Sequence, residues 1–257
     1  MAKLSNRRRK EIRKLRRRKY RKELGQTLVE GVRAVQSALE AGAPLVDVLV
    51  TGEALQQASV REMLQNIEVP VYEVEPGELD QLSRVESHQG IMAVVERTLQ
   101  PVDQLVHSKS ILLLDGVQDP GNVGTLMRTA AWFGVDAVVG ASGTAGLFHP
   151  KVMRAAMGAQ WDLVLSTVGD AGELRSALPE EDVQFVGADV SGTPLREWKP
   201  LARTVLIMGS EAHGLSGASQ SAISQRITIP GAAGREGTES LNVAVSGGIL
   251  LYGWLGR

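Results

Sequence analysis

From Gln26 to Glu96 short apolar runs alternate with amphipathic stretches of helical period. The pattern predicts strands over 27–30, 46–51, 69–74 and 90–96, with helices over 31–42, 53–66 and 77–84 between them. Strands and helices alternating at this spacing predict an α/β sandwich with mostly parallel pairing. A second series starts at Ile111, with strands over 111–115, 136–140, 163–166, 183–188, 204–209 and 226–230 and helices over 120–133, 150–159 and 241–255. Its strand segments are apolar without clean alternation, as in strands covered on both faces. Residues 3–23 read as a helix whose apolar points, Leu4, Ile12, Leu15 and Tyr20, are too sparse to bury it in a core. The chain therefore divides into an arm (1–22), a first domain (23–100), a linker around Pro101 (101–109) and a second domain (110–257).

Charge sharpens this division. The net charge of the 257 residues is −1, yet thirteen of the 28 Lys and Arg and only one of the 29 Asp and Glu lie in residues 1–22. The arm is thus +12 and the remainder −13. An anionic body repels a polyanion, whereas a dense cationic arm captures one by contacting phosphates and releasing counterions, so the arm is a candidate nucleic-acid contact. The plainer alternative is a solvated, charge-rich helix. Aromatic content of 4% argues against base stacking as the main binding device.

Other classes fall away on composition. There is no cysteine, so disulfides, thiolate metal sites and thiol nucleophiles are excluded, and the four His residues have no metal-pair spacing, so no metal is expected. No apolar run approaches the roughly 20 residues of a membrane span, and no secretory h-region is present, so a cytoplasmic protein is expected. Neither a phosphate-binding G-x-x-x-x-G-K-[ST] loop nor a G-x-G-x-x-G after a strand occurs, which weakens nucleotide-hydrolysing and dinucleotide-dependent readings.

Three segments remain, each at an expected strand end. The first is Asp115-Gly116-Val117-Gln118-Asp119-Pro120-Gly121-Asn122-Val123-Gly124, continuing to Arg128. The second runs from Ile207 through Gly209-Ser210-Glu211-Ala212-His213-Gly214 to Leu215. The third enters through Ile227-Thr228-Ile229-Pro230, reaches Ser240-Leu241-Asn242-Val243 and continues in a small-residue apolar run to Trp254. Read locally, Asn122 or Ser240 can be a helix N-cap, Glu211 can cap a turn and Arg128 can pair with Asp115.

In this order and spacing the three segments resemble the signature motifs of the SpoU/TrmH branch of the SPOUT RNA methyltransferases. The first domain, with Glu30-Gly31-Val32-Arg33 and Gln89-Gly90-Ile91, looks like the ribosomal-protein-like substrate-binding domain that often precedes the catalytic one. The resemblance implies methyl transfer from S-adenosylmethionine to a ribose 2′-hydroxyl of RNA, with ribosomal RNA favoured over tRNA, in a homodimer whose second domain carries a trefoil knot. A noncatalytic RNA-binding protein of the same fold is the alternative. Carried over by position, Asn122, Arg128, Glu211, Ser240 and Asn242 are the catalytic candidates, and Gly209, Ile229 and Leu241 hold the cofactor. A guanidinium is not deprotonated at ordinary pH, so Arg128 is read as a clamp on the target phosphate, leaving the proton to that phosphate or to Glu211. The Gly231 to Gly237 loop departs from the family pattern.

Overall fold

The computed structural model describes residues 3–65, 67–83, 88–178, 183–232 and 240–256. The chain forms two compact units that divide between Thr98 and Leu99. The expected linker is therefore part of the second unit, where Val102–His107 forms a 3-10 turn and Leu105 enters the core.

The first unit contains α1 (Asn6–Lys14), α2 (Arg18–Glu23), β1 (Gln26–Glu30), α3 (Val32–Glu40) and β2 (Leu45–Val50). These are followed by α4 (Gly52–Leu55), α5 (Ala58–Leu64), β3 (Val71–Glu73), α6 (Pro76–Leu82) and β4 (Ile91–Glu96). The sheet order is β1-β4-β2-β3, and β4 runs antiparallel to both neighbours while only β2 and β3 are parallel. This corrects the expectation of mostly parallel pairing. Residues 91–95 of β4 are all buried because it is a central strand, and an apolar run of that kind carries no information about direction.

The amino-terminal segment is also corrected. It does not stand off as an arm: Leu4, Ile12 and Leu15 are each 5% exposed or less and belong to the core with Leu28, Leu49, Leu79, Leu82 and Met92. The inner stripe is completed by a cation. Arg8 Nε donates to Asp47 Oδ2 at 2.7 Å, and the Asp47 side chain is almost fully buried. Burial opposes the Arg8 charge, but hydrogen bonds to Asp47 and Glu11 outweigh it and raise the guanidinium above its usual pKa. Burial, reinforced by the Asp47 charge, likewise raises the Tyr72 hydroxyl above the ordinary phenol value. Counting apolar residues misses this seam because one of its members is a neutralised ion pair.

The second unit contains β5 (Ser110–Asp115), α7 (Pro120–Trp132), β6 (Ala137–Gly140), α8 (Pro150–Ala156), β7 (Val164–Thr167) and α9 (Ala171–Ala177). It continues through β8 (Val183–Pro194), β9 (Arg203–Gly209), α10 (Gly217–Ala222), β10 (Gln225–Thr228) and α11 (Val243–Leu255). The six strands lie in the order β10-β8-β9-β5-β6-β7, and every pair is parallel. Here the apolar runs predict correctly: strands covered by helices need no polar face. The chain leaves β5 toward β6 but leaves β9 toward the opposite edge, so the carboxyl ends of these adjacent strands form a switch point. In open α/β sheets such points are where ligands bind. Most of the Gly231 to Gly237 loop lies outside the described residues.

Candidate active site

Parallel pairing sets Asp115 at the end of β5 opposite Gly209 at the end of β9, which places the first two sequence segments side by side. Each is locked by its own chemistry. Asp119 is the N-cap of α7 and accepts from the Asn122 backbone N–H at 2.9 Å, with Pro120 in the first turn where its missing N–H is harmless. After β9 the chain doubles back, and Ser210 and Gly214 exchange two backbone hydrogen bonds of 2.9 and 2.8 Å, which presents Glu211 on an exposed turn.

Asn122 is thereby freed from capping. Its Nδ2 donates to Glu211 Oε1 at 2.7 Å, while its Oδ1 accepts from Asn242 Nδ2 at 3.2 Å. Asn242 is itself the N-cap of α11: its Oδ1 accepts from the N–H groups of Ala244 and Val245. One side-chain chain thus joins all three segments, Glu211 to Asn122 to Asn242. The cap of α11 falls to Asn242 and not to Ser240, which lies exposed just before it.

Arg128 is not drawn into this cluster. It lies on α7 six residues after Asn122, about one and two-thirds turns, and its side chain is exposed. The ion pair with Asp115 considered from the sequence does not form; the buried Asp115 carboxylate instead accepts from the Ser216 backbone N–H at 2.7 Å. Among the described residues no acid pairs with Arg128, so its guanidinium is available to an anion from outside.

Two supporting residues were not assigned their roles from the sequence. Asp115 ties the end of β5 to the start of α10. Thr144 ties the same strand end to the loop after β6, its hydroxyl accepting from Gly116 N–H at 3.0 Å and donating to Leu114 carbonyl at 2.7 Å. An Asp-Pro pair before a helix marks Asp119 as a cap, but nothing local to Thr144 reveals its partners 28 and 30 residues away.

The three cofactor candidates lie along the carboxyl edge of the sheet. Gly209 ends β9, Ile229 follows β10 by one residue and Leu241 precedes α11 by two. At Gly209 a Cβ would stand 2.4 Å from the Gly214 carbonyl carbon, so only glycine allows the turn to fold this close. Leu241 is an apolar side chain left 47% exposed. Neutral backbone groups with apolar walls fit an adenosyl group, which needs few polar contacts. Among the described residues no three His, Asp or Glu side chains cluster as a metal site. An open groove of about 590 Å³ runs beside the cluster between α7 and α11, lined by Asn122, Thr125, Asn242, Val245, Ile249 and Tyr252 among others.

The chain is similar to known proteins over most of its length. The profile of the SpoU rRNA Methylase family matches residues 109–252, and that of the MRM3-like substrate binding domain matches residues 6–93. The 23S rRNA (guanosine(2553)-2′-O)-methyltransferase RlmP of Bacillus subtilis (strain 168) is 31% identical over 253 residues, 95% of this chain and 94% of that protein. The 23S rRNA (uridine(2479)-2′-O)-methyltransferase of Streptomyces viridochromogenes is 28% identical over 91% of this chain and 84% of its own length. The crystal structure of the SpoU methyltransferase AviRb from Streptomyces viridochromogenes, in complex with the cofactor AdoMet, superposes with a TM-score of 0.85 at 27% identity, covering 98% of this chain and 97% of that one. The chain belongs to the SpoU rRNA Methylase family.

Proposed function

We propose that this protein transfers a methyl group from S-adenosylmethionine to a ribose 2′-hydroxyl of ribosomal RNA, with 23S rRNA as the substrate class. The observation that carries the reading is the Glu211–Asn122–Asn242 chain of hydrogen bonds, which joins the three family segments at the switch point of the sheet. The support for 23S rRNA is the activity named for the relatives in Bacillus subtilis and Streptomyces viridochromogenes.

When bound, the cofactor supplies a methyl group already activated on a sulfonium. The protein's task is therefore to align a poor oxygen nucleophile and remove its proton. Arg128 grips the phosphate beside the target ribose through two parallel N–H donors and fixes the hydroxyl in place. Asn122 orients the Glu211 carboxylate, which polarises the hydroxyl or takes its proton as the new O–CH₃ bond forms and the C–S bond breaks. Gly209, Ile229 and Leu241 hold the adenosyl group through backbone contacts and apolar walls, and Ser240 and Asn242 shape the entry to α11 beside it.

Second copies of the chain pair through the second unit, burying the apolar face of α11. Val245, Ile249 and Tyr252 are 53, 38 and 64% exposed, and an apolar patch of that kind marks an interface. The protein works in the cytoplasm, and among the described residues no helix is long and apolar enough to cross a membrane.

The test is transfer of isotope-labelled methyl from S-adenosylmethionine to a 23S rRNA transcript, followed by alkaline hydrolysis. A 2′-O-methyl group blocks cleavage of its phosphodiester, so label should survive in an alkali-resistant dinucleotide. Label on a base, or transfer to tRNA and not to 23S rRNA, would overturn the reaction or the substrate class respectively.

A further inference from the structure

We propose that residues 4–22 form a rib already folded in the RNA-free protein, anchored by one face and contacting RNA phosphates with the other. The proposal rests on the reading that RNA is the substrate, and it divides the cations of the segment between two different jobs.

The inner face is fixed by the seam described above. Leu4, Arg8, Ile12 and Leu15 recur at helical spacing, the three apolar ones are in the core and Arg8 is bonded to Asp47. Arg9 pairs with Glu78 on α6, Arg16 donates to the Gln81 carbonyl at 2.9 Å, and buried Arg21 donates to the Leu15 carbonyl at 2.9 Å. These four cations hold the segment to its own unit. Arg8, Arg9 and Arg21 are at least partly buried, whereas Lys10, Arg13, Lys14 and Arg17 are all exposed.

The outer face follows from the period. At 100° per residue Lys10 and Arg13 lie on the side of α1 opposite the Arg8–Ile12 stripe, with Lys14 flanking them, and Arg17 follows as the exposed, extended N-cap of α2. Among the described residues Lys10, Arg13 and Arg17 have no carboxylate partner. A row of exposed cations without carboxylate partners on α1 and at the start of α2, in a chain whose remaining residues carry −13, has one complementary ligand class, a closely spaced polyanion. Because the helix is ordered by its own core contacts, RNA binding does not have to supply the ordering entropy that a disordered basic tail would lose.

The test uses the full-length protein with Lys10→Gln, Arg13→Gln and Arg17→Gln combined. Affinity for a 23S rRNA transcript should fall, and the log-log slope against salt should flatten by roughly 0.7 to 0.9 for each phosphate no longer gripped, about 2 to 3 in all. Calorimetric binding of S-adenosylmethionine should be unchanged, and hydrogen exchange at α1 in the variant should match the wild type, which shows that the segment is still folded. Wild-type affinity and slope in the triple variant would overturn the phosphate assignment. Hydrogen exchange on the RNA-free protein tests the other half: amides of α1 should be protected, and exchange at unfolded-chain rates would overturn the anchored rib. Failure of the wild-type protein to methylate any RNA would count against the catalytic reading, whereas this proposal is read from binding alone.

Discussion

The side-chain amide of Asn122 donates a 2.7 Å hydrogen bond to the carboxylate of Glu211, which lies 89 residues further along the chain. Because Asp119 caps α7, Asn122 can be replaced without unravelling the helix. Asn122→Ala should therefore change the urea midpoint little while lowering single-turnover methyl transfer on the order of 10²-fold, the loss expected for one preorganised contact. Asn122→Asp should be worse, since it sets two carboxylates together. Turnover at the wild-type rate in Asn122→Ala would remove the carboxylate's orientation from the mechanism.

Among the described residues Arg128 has no acid partner to lose, and that makes its substitution informative. Arg128→Ala should leave cofactor binding and melting temperature nearly unchanged and lower turnover by roughly 10²- to 10³-fold. Arg128→Lys should recover little, because an ammonium cannot reproduce the planar two-pronged grip. A lowered melting temperature with full turnover per folded molecule would return Arg128 to a structural role.

Gly209 gives a test of the cofactor edge. The added methyl group of Gly209→Ala meets the backbone of Gly214 and Leu215 within 2.4 to 2.6 Å, so the turn carrying Glu211 must shift. Overpacking of this kind typically destabilises by about 1 to 3 kcal/mol. The wild-type protein should gain about 2.7 kcal/mol of stability at a cofactor concentration 100 times its dissociation constant, in the presence of a chelator, and the variant should lose most of that gain. An equal thermal shift in both proteins would place the cofactor away from this turn.

How much of this is legible in the sequence depends on whether the physics is local. The strands of the second unit read directly as apolar runs, and Asp119-Pro120 marks a helix start. The direction of β4 does not, because a doubly covered strand looks alike either way. The catalytic candidates Asn122, Glu211 and Asn242 come from resemblance, and a local reading offers capping as the alternative for Asn122 and Glu211 and puts the α11 cap on Ser240; the structure gives the cap of α7 to Asp119, bridges Asn122 to Glu211 and lets Asn242 cap α11 and reach Asn122 together. Thr144 and Asp115 are illegible because their partners come from distant chain. The amino-terminal helix misleads for a different reason: its burial depends on Arg8 meeting Asp47, 39 residues away, and a lone Arg in a basic run reads as solvated.

That pair supplies the last prediction. The side chains of Arg8 and Asp47 are 20 and 5% exposed, so removing the cation leaves a carboxylate that water cannot reach well. Breaking a buried pair on one side costs about 3 to 5 kcal/mol, and Arg8, being partly exposed, places this pair near the lower figure. Arg8→Met should accordingly destabilise the protein by about 3 kcal/mol in urea titrations. The combined replacement Arg8→Met, Asp47→Leu and Tyr72→Phe removes the ion pair and the neighbouring phenol together, leaving Glu11 and Gln26, which are only partly buried, to water, and it should recover most of that loss because a packed apolar substitute does as well as a buried ion pair. The double-mutant cycle between residues 8 and 47 then isolates their coupling. A loss below about 1 kcal/mol in Arg8→Met would mean that the pair behaves as a surface contact and that the apolar side chains alone hold α1 in place.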